Sequence, residues 1–134
     1  METTKSIWSL SCDIHTREPL KENITTDTAV IGGGMCGILT AYMLSKRGIN
    51  TVVLEADRIA SGVTRNTTAK ITSQHYLCYD KLINNVGKEK AYQYAHANKR
   101  AIEDYRKLIK ELQIDCDFED MPALAYSLTE TDTL

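Results

Sequence analysis

The sequence has no strong charge bias, no long apolar run and no clustered cysteines. Its 134 residues carry a net charge of −2, which gives no electrostatic case for binding nucleic acid or an anionic membrane. The apolar stretches are too short to span a bilayer, and the opening METTKSIWSLSCD lacks the continuous apolar core of a signal peptide. We therefore expect a cytoplasmic protein without a membrane span.

The four cysteines, Cys12, Cys36, Cys78 and Cys116, lie far apart in the sequence. No pair has CxxC spacing and no histidine stands at a ligand spacing, so the segment gives no support for a zinc, iron–sulfur or other metal site. We expect reduced, mostly buried thiols. A redox role is the minor alternative for Cys36, which lies in a glycine turn where a helix start would stabilise a thiolate.

Residues 27–55 are predicted to form a strand, a glycine turn, a helix and a second strand. Gly32, Gly34 and Gly37 form a GxGxxG pattern after a short apolar run. In this pattern the first glycine permits the tight turn, the second lets the backbone approach a pyrophosphate, and the third lets helix and strand lie close together. The helix is expected to begin near Met35, where its N–H groups and its dipole would attract phosphates.

The remainder of this unit has a predicted helix end and an acidic strand end. Gly48 would end the helix. Glu55 follows Gly37 by eighteen residues, close to the spacing of about twenty that is typical of a ribose-binding carboxylate. Such a carboxylate accepts hydrogen bonds from a ribose diol and repels a 2′-phosphate. The pattern therefore disfavours NADP but does not separate FAD from NAD, and an ordinary βαβ turn without a ligand is the alternative.

The segments on either side of this unit are less regular. Residues 1–25 are expected to form an irregular arm anchored by Trp8, ahead of a dinucleotide-binding domain at 26–134. A polar loop at 56–74 follows the strand end, and loops of such length are usually functional, with a solvated surface loop as the alternative. Its hydroxyl, amide and cationic side chains suit phosphates: Thr64, Asn66, Thr67, Thr68, Arg58, Arg65 and Lys70.

Two helices are predicted after the loop. Ser73 would cap a helix at 74–86 that ends at Gly87, and a helix at 88–113 carries an apolar stripe of helical period. A strand is expected at 122–128. Because two strands at 27–55 cannot make the larger sheet of this fold, we expect the chain to be an amino-terminal fragment of a longer protein.

Over almost its whole length the chain resembles the amino-terminal part of the D-amino-acid oxidase-like FAD-dependent oxidoreductases. The matching segments are SIW, REPLKENITTDTAVIGGGMCG, LEADRIASGVT and NTTAKITSQHYLCYDKLI. The TTAK and SQH pieces look most like a bacterial subgroup related to gamma-glutamylputrescine oxidase. Members of that subgroup often carry a carboxy-terminal Rieske iron–sulfur domain, which the resemblance would place in a missing carboxy-terminal part.

The resemblance implies an α/β fold, an incomplete Rossmann-like FAD-binding domain. It also implies a flavoenzyme that oxidises a C–N bond of a small-molecule amine or amino acid by hydride transfer to flavin. An NAD-dependent dehydrogenase and a non-catalytic dinucleotide-binding module are the alternatives. No residue of the segment stands out as a catalytic acid or base.

The resemblance further implies a set of cofactor-binding residues. Glu55 would bind the adenosine ribose, with Arg58 against the adenosine end. A histidine attaches the flavin covalently in dimethylglycine dehydrogenase-like relatives, but the aligned position here is Asn66, so we predict non-covalent FAD. The pyrophosphate turn and the segment that runs toward the flavin would supply the other contacts: Gly32, Gly34, Met35, Cys36, Gly37, Gly62, Thr64, Thr67 and Thr68.

Overall fold

A computed structural model of the chain describes residues 6–124. The chain divides into two compact units, residues 1–69 and residues 70–134. The predicted mixture of helices with a parallel strand pair is confirmed. Within the described residues, no helix is long and apolar enough to cross a membrane.

The amino-terminal arm contains a one-turn helix, so the prediction of a wholly irregular arm is wrong. This helix, α1, spans Ile7–Ser11. Five residues are too few to show a helical period, which is why the sequence pattern did not reveal it. The Trp8 indole N–H donates to the carbonyl oxygen of Thr67 at 2.7 Å, and so Trp8 anchors the arm as predicted.

The first unit is built on two parallel strands joined by a helix. β1 (Thr28–Ile31) pairs in register with β2 (Thr51–Leu54), and α2 (Met35–Ser45) connects them. α2 packs against both strands. A parallel sheet is fully buried when helices or other elements pack on both of its faces. Here Ile31 is 78% exposed and the burial of β1 alternates along the strand, so β1 is covered on one face only.

The ends of α2 match the prediction from the glycines. The helix begins at Met35, and Gly48 follows its last turn with φ +74, a left-handed value that favours glycine. The Gly48 N–H donates to the carbonyl of Ser45 at 2.9 Å. Lys46 forms the carboxy-terminal cap of α2.

The second unit contains α3 (Cys78–Val86) and α4 (Lys88–Leu112), which pack against each other around Gly87. The predicted start of α3 at Gln74, with Ser73 as its cap, is wrong. The Thr72 hydroxyl accepts a hydrogen bond from the Gln74 N–H at 3.0 Å, and this local turn competes with helix formation. Tyr76 then has φ +54, which interrupts any helical run before Cys78.

The apolar stripe of α4 is confirmed by burial except at Tyr94 and Leu112, which are 39% and 49% exposed. Ala91 is the most deeply buried of the described hydrophobic residues, at 3% exposed, and Tyr94 meets Tyr79 edge-on with ring centroids 6.2 Å apart. Half-buried positions continue the stripe along the helix at Ala95, Asn98, Ile102, Tyr105, Leu108 and Ile109. Of the strand predicted at 122–128, residues 122–124 are irregular and the remainder lies outside the described residues.

The cysteines are less buried than predicted. Cys12, Cys36 and Cys116 are exposed and Cys78 is half-buried, all as free thiols. Cys12 and Cys116 lie in irregular segments, and Cys36 lies in the exposed first turn of α2. The expectation of mostly buried thiols is therefore wrong, because these segments have few side chains to cover a thiol.

A bidentate ion pair holds the chain after α4 back against that helix. Arg106 donates to the Asp120 carboxylate at 2.5 and 3.2 Å. The Arg106 hydrogen bond lowers the pKa of Asp120 below its usual value and raises the pKa of Arg106. A lowered carboxyl pKa means that this pair stabilises the folded state above the usual Asp pKa. The contribution disappears as the pH falls through the folded-state value.

We expect Asp120→Asn to loosen residues 114–124 at neutral pH, because it removes one partner of the Arg106 pair. Amide hydrogen exchange of that segment measures the effect. The variant should exchange faster than the parent near pH 7 and equally fast once the pH lies well below the Asp120 pKa. The matched control is Glu119→Gln, which removes a neighbouring exposed carboxylate. Equal exchange of parent and Asp120→Asn at neutral pH would contradict this role.

Candidate functional site

The glycine turn lies where β1 ends and α2 begins, beside the end of β2. The Gly32 N–H donates to the carbonyl of Leu54 at 2.8 Å, which extends the contact between the strands into the turn. Gly32 has φ +100, yet a Cβ built there would meet no atom within 4 Å. Glycine is therefore required at this position by backbone conformation and not by crowding.

Gly37 is required for the opposite reason. A Cβ at this position would lie 1.9 Å from the carbonyl oxygen of Gly32 and 3.4 Å from Cγ1 of Val30. The first of these contacts is with backbone, which has no flexible end to move aside. Only glycine thus lets the first turn of α2 lie this close to the end of β1.

Gly34 differs from both, because the protein leaves room for a side chain there. A Cβ would meet only Thr64 Oγ1, at an ordinary contact distance of 3.4 Å, and the backbone has φ −76. Neither conformation nor packing within the described chain demands glycine at this position. Glycine is also among the residues favoured at a helix N-cap, the position that Gly34 occupies.

Gly33, which the GxGxxG pattern leaves free, is the residue that the sequence analysis missed. It is buried, and its N–H donates to Oε2 of Glu55 at 2.6 Å while its carbonyl accepts from the Ala60 N–H at 2.9 Å. A Cβ would lie 2.5 Å from Cδ1 of Ile59 and 3.2 Å from Cβ of Glu55. The run of three consecutive glycines at 32–34 is the sequence signal that could have revealed the role of Gly33. The pattern needs only two of them, so the additional glycine indicates another place where a side chain would be too close to its neighbours.

Glu55 lies directly after β2, and backbone donors hold its carboxylate at the turn. Oε2 accepts from the Gly33 N–H, and Oε1 accepts from the Asp57 N–H at 3.1 Å. These hydrogen bonds, that of Gly33 first, lower the pKa of Glu55 and keep the group ionised. An ionised carboxylate has about four lone-pair sites, so each oxygen retains acceptor capacity for a ligand hydroxyl.

The start of α2 faces the polar loop through Thr64. The Met35 N–H donates to Oγ1 of Thr64 at 3.1 Å, so a hydroxyl oxygen occupies one acceptor position at this helix start. Gly34, the N-cap residue, has no side chain that could cap the helix. The first N–H groups of a helix lack intrahelical partners and favour anionic acceptors. Cys36 is exposed in the same turn.

The loop between Glu55 and the second unit makes a few hydrogen bonds within itself. A 3₁₀ turn spans Val63–Asn66, and the Thr67 hydroxyl donates to the Thr64 carbonyl at 3.3 Å. The Asn66 amide donates to the Gly62 carbonyl at 3.3 Å. Thr68 and Gly62 are exposed on this loop. The structure thus brings Thr64 to the glycine turn, while Gly62, Thr67 and Thr68 lie along the loop that leads away.

Arg58 reaches the amino-terminal arm, where it donates to the carbonyl of Ile14 at 3.4 Å. It also lines a groove of about 330 Å³ between the arm and the end of β2, together with Glu55 and Pro19. Arg58 and Glu55 therefore border the same groove.

The comparison with known proteins identifies the family of the chain. The family model of DAO, described as FAD dependent oxidoreductase, matches residues 27–133. The chain belongs to this family. No solved structure matches the chain significantly.

Curated relatives of this FAD-dependent oxidoreductase chain are bacterial proteins. It is 39% identical to the putative Rieske 2Fe-2S iron-sulfur protein YhfW of Bacillus subtilis, over 96% of the chain and 25% of that protein. It is 31% identical to gamma-glutamylputrescine oxidoreductase of Escherichia coli, over 87% of the chain and 28% of that protein. A 56-residue match to pseudooxynicotine dehydrogenase of a Pseudomonas species is 39% identical and covers 42% of the chain and 11% of that protein. The chain thus spans about a quarter of the first two relatives.

We expect Gly37→Ala to destabilise the protein by roughly 1–3 kcal/mol or more, because the new Cβ would overlap the Gly32 carbonyl. The free energy of unfolding, measured by urea denaturation without added cofactor, tests this. The matched control is Gly34→Ala, where a Cβ meets only Thr64 Oγ1 at 3.4 Å and the backbone is extended at φ −76 and ψ −178, so stability should change by no more than about 1 kcal/mol. Equal stability of the two variants would contradict the close approach of α2 to β1.

Proposed function

We propose that these residues hold FAD non-covalently, in an enzyme that oxidises a C–N bond of an amine or amino acid. The observation that carries the proposal is the ionised carboxylate of Glu55, fixed by the Gly33 N–H beside the start of α2. A carboxylate acceptor next to helix-start donors matches the two adjoining groups of an adenosine diphosphate, the ribose diol and the pyrophosphate.

In this proposal, different site residues contact different parts of FAD. Glu55 accepts hydrogen bonds from the ribose hydroxyls, and the backbone at Gly32, Gly34, Met35, Cys36 and Gly37 surrounds the pyrophosphate. Arg58 and the groove that it lines take the adenosine end. Gly62, Thr64, Thr67 and Thr68 run from the pyrophosphate toward the flavin.

The chemistry of the donors and acceptors fits FAD better than a phosphorylated dinucleotide. The fixed negative charge of Glu55 would repel a 2′-phosphate. Gly34 leaves its backbone accessible although nothing within the described residues requires a glycine there. The Met35 N–H already donates to an oxygen, Oγ1 of Thr64, and this supports a pyrophosphate oxygen as a further acceptor at the start of α2.

Non-covalent binding is proposed because of the residue at position 66. An asparagine amide has no nucleophilic nitrogen comparable to that of imidazole. The Asn66 amide instead donates to the carbonyl of Gly62 and closes the 3₁₀ turn. Its proposed role is therefore to shape the loop.

The proposed reaction uses the redox chemistry that FAD supplies when bound, acceptance of a hydride equivalent from the carbon of a C–N bond. The residues described here bind and orient the cofactor. Two relatives are named for nitrogen-containing compounds, gamma-glutamylputrescine and pseudooxynicotine, which supports an amine or amino-acid substrate. The name of the Bacillus subtilis relative supports a further proposal, a Rieske 2Fe-2S cluster in the whole protein as an electron acceptor.

We also propose a division of the chain into an arm at 1–25 and the amino-terminal part of the FAD-binding domain at 26–134. The bonds of Trp8 and Arg58 support it, since both connect the arm to the loop that follows β2. The arm would then lie along the cofactor-binding edge without belonging to the βαβ unit.

We expect Gly34→Ala to weaken FAD binding at least about tenfold while changing the stability of the cofactor-free protein by no more than about 1 kcal/mol. The cofactor-free protein has room for the added methyl group. In the complex, the methyl group would occupy space that the pyrophosphate needs against this backbone. Titration of the apoprotein with FAD, followed by flavin fluorescence, gives the affinity. The matched control is Ser45→Ala, at the opposite end of α2. Unchanged FAD affinity in Gly34→Ala would contradict the proposed placement of the pyrophosphate.

A further inference from the structure

Two side chains of the amino-terminal arm donate to carbonyls of the same short stretch of loop. The indole N–H of Trp8 donates to the Thr67 carbonyl at 2.7 Å, and the hydroxyl of Ser6 donates to the Arg65 carbonyl. We call residues 62–68 the cofactor loop. The arm thus holds the cofactor loop at two alternate residues, across 59 positions of sequence in each case.

Ser6 bonds to the loop and does not cap its own helix. Ser6 is the N-cap residue of α1 and has the extended conformation that allows a serine to cap its own helix. Its side chain makes no capping hydrogen bond and instead reaches Arg65. α1 itself packs against the 3₁₀ turn Val63–Asn66. The short helix therefore serves to present Ser6 and Trp8 to the loop.

The cofactor loop has little else to fix its conformation. Most of its residues are exposed, and the hydrogen bonds that Asn66 and Thr67 make within it are 3.3 Å long. Ala60 and Ala69, close to its two ends, have φ values of 58 and 55. Left-handed backbone at alanine is unfavourable and persists only where neighbouring contacts impose it.

The contact reaches the proposed pyrophosphate position through two threonines. Trp8 fixes the Thr67 carbonyl, the Thr67 hydroxyl donates to the Thr64 carbonyl at 3.3 Å, and Thr64 Oγ1 accepts from the Met35 N–H at 3.1 Å. Trp8 is thereby connected, through Thr67 and Thr64, to the start of α2.

We propose that Trp8, assisted by Ser6, is a positioning residue that orders the cofactor loop before FAD binds. The inference rests on the proposed function. Ordering the loop in advance reduces the conformational entropy lost on binding, and so increases affinity without any contact between Trp8 and the ligand. Trp8 is 40% exposed, so its ring contributes less to folding than a buried tryptophan would.

Trp8→Phe tests this most cleanly, since it keeps an aromatic ring and removes the indole N–H. The expected result is a loss of FAD affinity of roughly three- to tenfold, with the melting temperature of the apoprotein lowered by no more than about 5 °C. Ser6→Ala should weaken binding in the same direction. The matched control is Ser9→Ala, the same substitution on the same helix at a serine whose side chain has no hydrogen bond among the described residues. It should bind FAD like the parent.

A second measurement separates positioning from a general structural role. In the apoprotein, amide hydrogen exchange should become faster in residues 62–68 of Trp8→Phe and Ser6→Ala, stay unchanged in β1 and β2, and return to the parent rate with saturating FAD. Unchanged affinity in both variants, or faster exchange throughout the first unit, would overturn the inference. A parent protein that binds no FAD would instead overturn the proposed function, so the two failures are distinguishable.

Discussion

The hydrogen bond from the Gly33 N–H to the Glu55 carboxylate is the interaction on which the site depends. It joins the turn after β1 to the residue after β2, and so sets the acidic group beside the start of α2. The carbonyl of the same glycine accepts from Ala60, which fixes the beginning of the loop. The two backbone contacts of this one residue thus connect the turn to both the carboxylate and the loop.

The neighbouring glycines share a motif but answer to different physical constraints. Gly32 adopts a left-handed φ. Gly37 lies so close to the Gly32 carbonyl that a Cβ would overlap it, and Gly33 lies close to Glu55 and Ile59. Gly34 is restrained by none of these. A pattern of glycines therefore contains positions that the fold fixes and, at Gly34, one where we propose a ligand contact.

The βαβ unit could be predicted because its helix ends depend on residues adjacent in sequence. Features that depend on contacts between residues far apart in sequence could not be predicted. The start of α2 and the Gly48 stop follow from residues adjacent in sequence, and both were predicted. The role of Gly33 depends on Glu55, 22 residues away, and the pairing of Trp8 with Thr67 spans 59 residues. The start of α3 was predicted too early because left-handed backbone at Tyr76 overrides an otherwise suitable cap at Ser73. Family resemblance supplied the cofactor, which spacing alone left between FAD and NAD.

The most direct test of the account is the visible absorption spectrum of the protein as its host makes it, repeated on the supernatant after acid precipitation. The account predicts an oxidised flavin spectrum that moves into the supernatant, as expected for FAD held by backbone donors and Glu55 without a covalent bond. Flavin that stays with the precipitate would contradict non-covalent attachment. A colourless protein that also fails to take up added FAD would contradict the proposed function itself.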